Sequence, residues 1–205
     1  MIRVMNRRFF LAAGLAAAGL GTAAEAQRIG LDTLSAYLNS IDTAQAAFTQ
    51  FNADGTTSTG TLYIRRPGRM RFEYDPPAES LVMAGGGQVA IFDERSNTGP
   101  EQFPLQRTPL HLILARRVDL AASGMVVGHG TDGAATTVTA QDPERPESGT
   151  IRLVFTADPM ALRRWTITNQ AGEETTVILE RMETGMDLGA RLFSIVAEAQ
   201  ARGLR

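Results

Sequence analysis

Glu73 and Asp75 stand two positions apart, a spacing that in a strand puts both carboxylates on one face, where one could serve as acid and the other as base. Arg69 and Arg71 flank them and nothing nearby supplies oxyanion donors, so the pattern reads as a cross-strand charge ladder. Gly85-Gly86-Gly87 has the composition of a phosphate-cradling loop, but no Lys-Ser/Thr follows it, and it reads as a hairpin turn. The two histidines, His111 and His129, are 18 positions apart, too few and too distant for a histidine-built metal centre. His111 falls in an apolar helical stretch, and His129, between Gly128 and Gly130, reads as a loop residue. The absence of cysteine closes off thiolate metal sites, disulfides, cysteine nucleophiles and lipid attachment through an amino-terminal cysteine. The expectation is a chain with no metal, no cofactor and no catalysis. Arg65-Arg66 remain, just ahead of Pro67-Gly68. A guanidinium beside a turn is either a solvated strand end or a five-donor fork that can hold backbone carbonyls of a neighbouring segment.

The elements that would position these groups are mostly strands. Leu62 and Ile64 alternate with Tyr63 and Arg65, and Met70, Phe72 and Tyr74 alternate with Arg69, Arg71 and Glu73, the period of a strand with one buried face. Pro67-Gly68 is turn chemistry, so residues 59–66 and 69–74 read as a hairpin, ended by Asp75-Pro76-Pro77. Residues 80–84 and 88–93 read as a second hairpin. Segments 136–140, 151–156, 162–168 and 175–182 are rich in β-branched and aromatic residues and continue the antiparallel pattern. Two helical stretches interrupt it. Residues 30–40 carry Leu31, Leu34, Tyr37 and Leu38 at helical spacing, and Thr108-Pro109 reads as a capped start for Leu110, Leu112, Ile113 and Leu114. Residues 119–122 predict one further helical turn. With no regular βαβ alternation, the fold class is mainly β with α: a strongly curved antiparallel sheet or open barrel, its concave face covered by a helical lid.

At the amino terminus, Arg3, Arg7 and Arg8 precede an apolar run from Phe9 to Leu20, followed by Ala24-Glu25-Ala26, the form of a cleavable export signal over residues 1–26. Asn6-Arg7-Arg8-Phe9-Phe10-Leu11 resembles the twin-arginine form of that signal. Cleavage is expected before Gln27, leaving 27–205 as one domain. The run is shorter than the roughly 20 residues a membrane-spanning helix needs. The composition, 43% hydrophobic and 20% charged, excludes a disordered or polytopic membrane chain. Every basic residue is Arg, and losing Arg3, Arg7, Arg8 and Glu25 takes the formal net charge from −2 to −4, which argues against nucleic acid as a partner.

Taken together, Ala47-Phe48-Thr49-Gln50, Gly60-Thr61-Leu62, the run from Arg66 through Pro77, Asp93 and Thr108-Pro109-Leu110 resemble the LolA family of periplasmic outer-membrane lipoprotein carriers, over about residues 31–195. The resemblance implies an incomplete antiparallel β-barrel under a helical lid. It implies an apolar cavity that receives the acyl chains of lipoproteins released by an inner-membrane ABC transporter and passes them towards an outer-membrane acceptor. It also implies that Arg66 latches the lid by hydrogen bonds to its backbone; Arg65 points to the other face of the same strand, and Arg65→Leu is expected to be close to neutral. The acyl cavity is expected to be lined by Leu62, Ile64, Met70, Phe72, Leu110, Ile113, Leu114, Trp165 and Ile167, a wall in which Met and Leu adapt to chains of varied length. A periplasmic monomer with no cofactor follows. The alternative is a related curved-sheet periplasmic module that binds another lipid or senses lipoproteins.

Overall fold

The computed structural model describes residues 28–204, except 79, 94–98 and 123. The expected signal over 1–26 lies outside the described residues. Helix α1, Leu31–Ser40, buries Leu34 and Leu38 and carries Asp32 in its first turn, where a carboxylate favours the positive helix end. Strands β1 (Thr43–Phe51), β2 (Thr57–Arg65), β3 (Arg69–Tyr74), β4 (Leu81–Gly85), β5 (Gln88–Phe92) and β6 (Glu101–Pro104) follow as one meander. A 3-10 turn, Leu105–Arg107, leads into helix α2, Leu110–Leu114. A second meander runs through β7 (Val126–Thr131), β8 (Thr136–Gln141), β9 (Thr150–Ala157), β10 (Met160–Thr168) and β11 (Glu174–Leu179). The two meanders join where β1 pairs β11 antiparallel, with Phe48 opposite Leu179. The strand order is β6-β5-β4-β3-β2-β1-β11-β10-β9-β8-β7, and the short β12, Glu183–Thr184, pairs with β1. Strands β6 and β7 are the two ends of this order and do not pair with each other, so the curved sheet of 12 strands is not closed into a barrel.

Alternation decides what each face meets. On the concave face Phe48, Leu62, Ile64, Met70, Phe72, Leu153, Phe155, Trp165 and Val177 form one buried cluster with Leu34 and Leu38 of α1 and Leu112, Ile113 and Leu114 of α2. The two helices therefore cover the sheet from inside. Strands β4 and β5 are apolar on both faces: Ala84 and Val89 join that cluster, while Leu81, Met83, Ala90 and Phe92 form a second one. The second cluster is covered from the convex side by Ile195, Ala199 and Leu204 of the carboxy-terminal segment, whose helix α3 spans Ile195–Ala201. Ser194 caps α3 by accepting from the Ala197 N–H at 3.2 Å.

Several sequence expectations change. Strand β1 was hidden because Ala44, Ala46 and Ala47 have low strand propensity, although Ala44, Ala46 and Phe48 alternate as buried residues. Only Gly86 and Gly87, at φ +59 and +78, make the turn of the second hairpin, whereas Gly85 is a strand residue whose added Cβ would collide with the Phe193 carbonyl. His129 lies in strand β7 opposite Val138, not in a loop. Residues 120–122 form a turn held by the Ala122 N–H on Asp119 Oδ1 at 2.9 Å, not helix. Thr108 does not cap α2: its hydroxyl donates back to the Leu105 carbonyl at 2.9 Å. The ladder expected around Glu73 runs along one strand rather than across two, with Arg71 Nε donating to Glu73 Oε1 at 2.6 Å.

Candidate functional site

Arg66 stands just after β2, where the turn to β3 begins, and its side chain crosses to both lid helices. Nη1 donates to the Leu38 carbonyl in the last turn of α1. Nη2 donates to Asn39 Oδ1 at 3.1 Å and to the carbonyl of Ala115, which ends α2, at 2.7 Å. A helix leaves its last carbonyls without intrahelical donors, so a cation at that end satisfies them and meets the negative end of the helix dipole. Burial lowers the pKa of Arg66 and the Asp42 carboxylate opposes that shift, while Nε is buried with no hydrogen-bond partner among the described residues. Backbone bonds reinforce the junction: the Gly68 N–H donates to the Leu114 carbonyl at 2.8 Å, and the positive φ of +69 at Gly68 is what a glycine supplies there. Asn39 completes it, donating to the Val118 carbonyl at 2.7 Å and accepting from the Val118 N–H at 2.9 Å. One turn of the sheet, the carboxyl ends of both helices and the segment after α2 thus meet around a single guanidinium.

Arg65 turns to a different part of the chain from Arg66. Its Nη1 donates to the Leu188 carbonyl, so it holds the chain that leads to α3. Arg71, on the convex face, reaches the same region: Nη1 donates to the Leu192 carbonyl at 3.1 Å and to Glu198 Oε2 at 2.9 Å, and Glu198 also accepts from Arg202 at 2.9 Å. Burial raises the pKa of Glu198, but the Arg71 and Arg202 hydrogen bonds and charges outweigh it and leave it lowered. The carboxy-terminal segment is therefore clamped by Arg65 and Arg71, which the sequence did not reveal because their acceptors lie more than a hundred residues away.

Away from Arg66, a cavity of about 780 Å³ opens between sheet and lid, within the range of roughly 300–1,000 Å³ usual for ligand sites. Phe72, Leu110, Trp165 and Ile167, four of the expected lining residues, form part of its wall, together with Val82, Val89, Ile91, Phe103 and Val177. Leu62, Ile64, Met70, Ile113 and Leu114 do not line it; they belong to the packed cluster between sheet and helices, which Phe72 and Trp165 share. The described lining contains no methionine and one leucine; it is aromatic and β-branched. Val82, Val89 and Ile91 carried a readable signal, since continuous apolar runs such as those of β4 and β5 belong to strands covered on both faces.

Exposed polar residues, among them Glu101, Arg107, Asn169 and Gln170, also line the cavity, and Ser148 is a buried one. Two others are paired with each other. The Tyr74 hydroxyl donates to Gln50 Oε1 at 2.8 Å, and both residues line the cavity; burial, which outweighs that hydrogen bond, pushes the phenol pKa up to about 12. At the lid, His111 Nδ1 meets the Thr108 carbonyl at 2.7 Å and Nε2 stands 3.4 Å from the buried Asp142, which Arg145 also engages at 2.9 Å. Among the described residues no group of three or more His, Cys, Asp or Glu could hold a metal ion, and no helix is long and apolar enough to cross a membrane.

Residues 39–196 match the family described as outer membrane lipoprotein carrier protein LolA. An outer-membrane lipoprotein carrier protein from Methylococcus capsulatus is 25% identical over 185 residues, 84% of this chain and 86% of that one. One from Leptothrix cholodnii is 27% identical over 202 residues, 94% of this chain and 92% of that one. Among solved structures, a LolA superfamily protein from Nitrosomonas europaea aligns at a TM-score of 0.43 and 9% identity, over 81% of this chain and 98% of that one.

Proposed function

We propose a transport cycle for this chain, which belongs to the LolA family of outer membrane lipoprotein carrier proteins and is a lipoprotein carrier. In that cycle it is exported to the periplasm, beginning at Gln27 once the signal over 1–26 is removed. There it acts as a monomer, takes acylated lipoproteins from an inner-membrane lipoprotein-releasing ABC transporter and yields them to an acceptor at the outer membrane. The observation that supports this reading is the 780 Å³ cavity: aromatic and β-branched side chains make up most of its apolar wall, and it is bordered by the amino end of α2, a helix tied to the sheet through polar contacts that can be remade.

The energetics fit a carrier. Each CH₂ withdrawn from water contributes about 0.8 kcal/mol, so one long acyl chain is worth on the order of 10 kcal/mol, and an acylated protein does not leave a membrane for water unshielded. Release requires that the empty state compete with the loaded one, because a ligand shifts an equilibrium only by its differential affinity for the two states. Arg66 supplies that competition in our reading: its bonds to Leu38, Asn39 and Ala115 stabilise the lid when it is closed over the sheet. The site residues are this latch and the cavity wall of Phe72, Leu110, Trp165 and Ile167, and no step of the cycle needs catalysis. Mass spectrometry of the protein purified from periplasm, extracted into organic solvent, is expected to recover lipoprotein or its acyl chains. Recovery of a different lipid alone would favour a lipid-binding module of the same fold.

A further inference from the structure

A chain of hydrogen bonds runs from the cavity to the surface, and its outer end fixes the direction of every bond in it. Asp54, at the tip of the β1–β2 turn, is a carboxylate and can only accept; the Thr56 hydroxyl donates to its Oδ1 at 2.6 Å. With its one proton spent there, the Thr56 oxygen must accept, and it does so from Asn52 Nδ2 at 2.9 Å. That orients the Asn52 amide, whose Nδ2 also donates to Ser58 at 3.3 Å, so Asn52 Oδ1 accepts from Gln50 Nε2 at 2.6 Å. Gln50 Oε1 is then an acceptor, and the Tyr74 hydroxyl has to donate to it. The Tyr74 ring is itself held, edge-on to Phe48 at 5.2 Å and stacked with Phe72 at 6.3 Å.

Tyr74 lines the cavity, and with its proton committed to Gln50 its oxygen has only lone pairs left to offer a ligand there. We propose that Tyr74 is a specificity-determining residue that accepts a hydrogen bond from a donor on the lipid, namely the N–H of an amide-linked acyl chain at the cargo's amino terminus. An ester-linked chain has no such hydrogen. The remaining N–H of Gln50 can meet a carbonyl, but amides and esters both have one, so the discrimination lies at Tyr74. In an apolar cavity an acceptor left without a donor loses its water with nothing in exchange, which is why one hydrogen is enough to sort ligands. The inference rests on the carrier reading and adds to it the kind of linkage the cavity selects.

Trp165 is the single tryptophan and lines the cavity, so its fluorescence reports occupancy. The probes are two synthetic lipopeptides with two ester-linked chains each, one with an N-palmitoyl amide at its amino terminus and one with the same amide N-methylated, together with a ceramide as an amide-linked lipid without peptide. The wild-type protein is expected to bind the N–H lipopeptide roughly three- to tenfold more tightly than the N-methyl one, the span of one net hydrogen bond. Tyr74→Phe is expected to erase that ratio, mainly by weakening the N–H lipopeptide. Equal affinity of the wild type for both lipopeptides overturns the inference without touching the carrier reading, and needs no variant to fold. Tighter binding of ceramide than of the N–H lipopeptide overturns the assignment to a lipoprotein amide. Failure of both lipopeptides to bind removes the carrier reading and this inference with it.

Discussion

A single arginine can be told apart from a ligand-binding residue by the sign of what its loss does. Arg66 contacts the carbonyls of Leu38 and Ala115 and the Asn39 side chain, all in the lid, and does not line the cavity. Hydrogen bonds from a charged group contribute about 1.5–3 kcal/mol each, so the two to the helix-end carbonyls of Leu38 and Ala115 together account for about 3–6 kcal/mol that Arg66→Leu is expected to remove from the closed state alone. The variant should accept lipoprotein yet pass it on poorly, accumulating as a soluble loaded complex; normal transfer, or failure at loading, would refute the latch. Arg65→Leu is the control. Losing one bond to the Leu188 carbonyl should lower stability by roughly 1–3 kcal/mol, measured by chemical denaturation, with transfer per folded molecule unchanged. The importance of Arg66 was only half legible in the sequence. Its position before Pro67-Gly68 advertised a fork beside a turn, but its three acceptors lie 27 to 49 residues away and only the tertiary fold brings them together.

Elements whose pattern was simple were the readable ones. Helix α1 and the hairpin of β2 and β3 declare themselves because their period is clean and their turn or helix start is chemically marked. Strand β1 is masked by alanines, and β7 by Gly128 and Gly130 around His129. The convex-side helix α3 was unreadable for a different reason: the apolar runs of β4 and β5 signal that both faces are covered, but not which distant segment covers the second one. Its attachment gives a pH prediction. Glu198 is ordinarily a group of pKa 4.5 and is lowered in the folded protein, so its contribution is fully present above 4.5 and is lost as pH falls through the lower folded value. Asp142, also lowered because bonds from Glu144 and Arg145 outweigh its burial, adds loss in the same direction. Thermal unfolding should therefore show a steeper acid decline in the wild type than in Glu198→Gln, whose melting temperature at neutral pH should already be lower. Parallel pH profiles would show that α3 is not held by this ion pair. At the lid, a photo-crosslinker at Leu110 is expected to label bound lipoprotein, whereas one at Val127, exposed on the edge strand β7, should not. Equal labelling would place the cargo outside the cavity.

For the molecule as a whole, the open sheet is the feature that matters. Two meanders joined only at β1 and β11, with β6 and β7 left as edges, give a surface curved enough to enclose apolar volume without being sealed. The lid is short and anchored at its carboxyl ends by polar contacts, while its α2 amino end, at Thr108, Pro109 and Leu110, borders the cavity. Curvature, meander order and a lid were legible from hairpin spacing and two interrupting helices. The size of the cavity was not, because an apolar residue facing inward has the same pattern whether it meets another side chain or open space. The carrier account therefore comes down to whether this protein removes lipoproteins from a membrane. Spheroplasts with an active lipoprotein-releasing transporter should discharge lipoprotein into solution only when the protein is added, as a complex that co-migrates with it. Lipoprotein that stays in the membrane at every concentration of added protein would contradict the account.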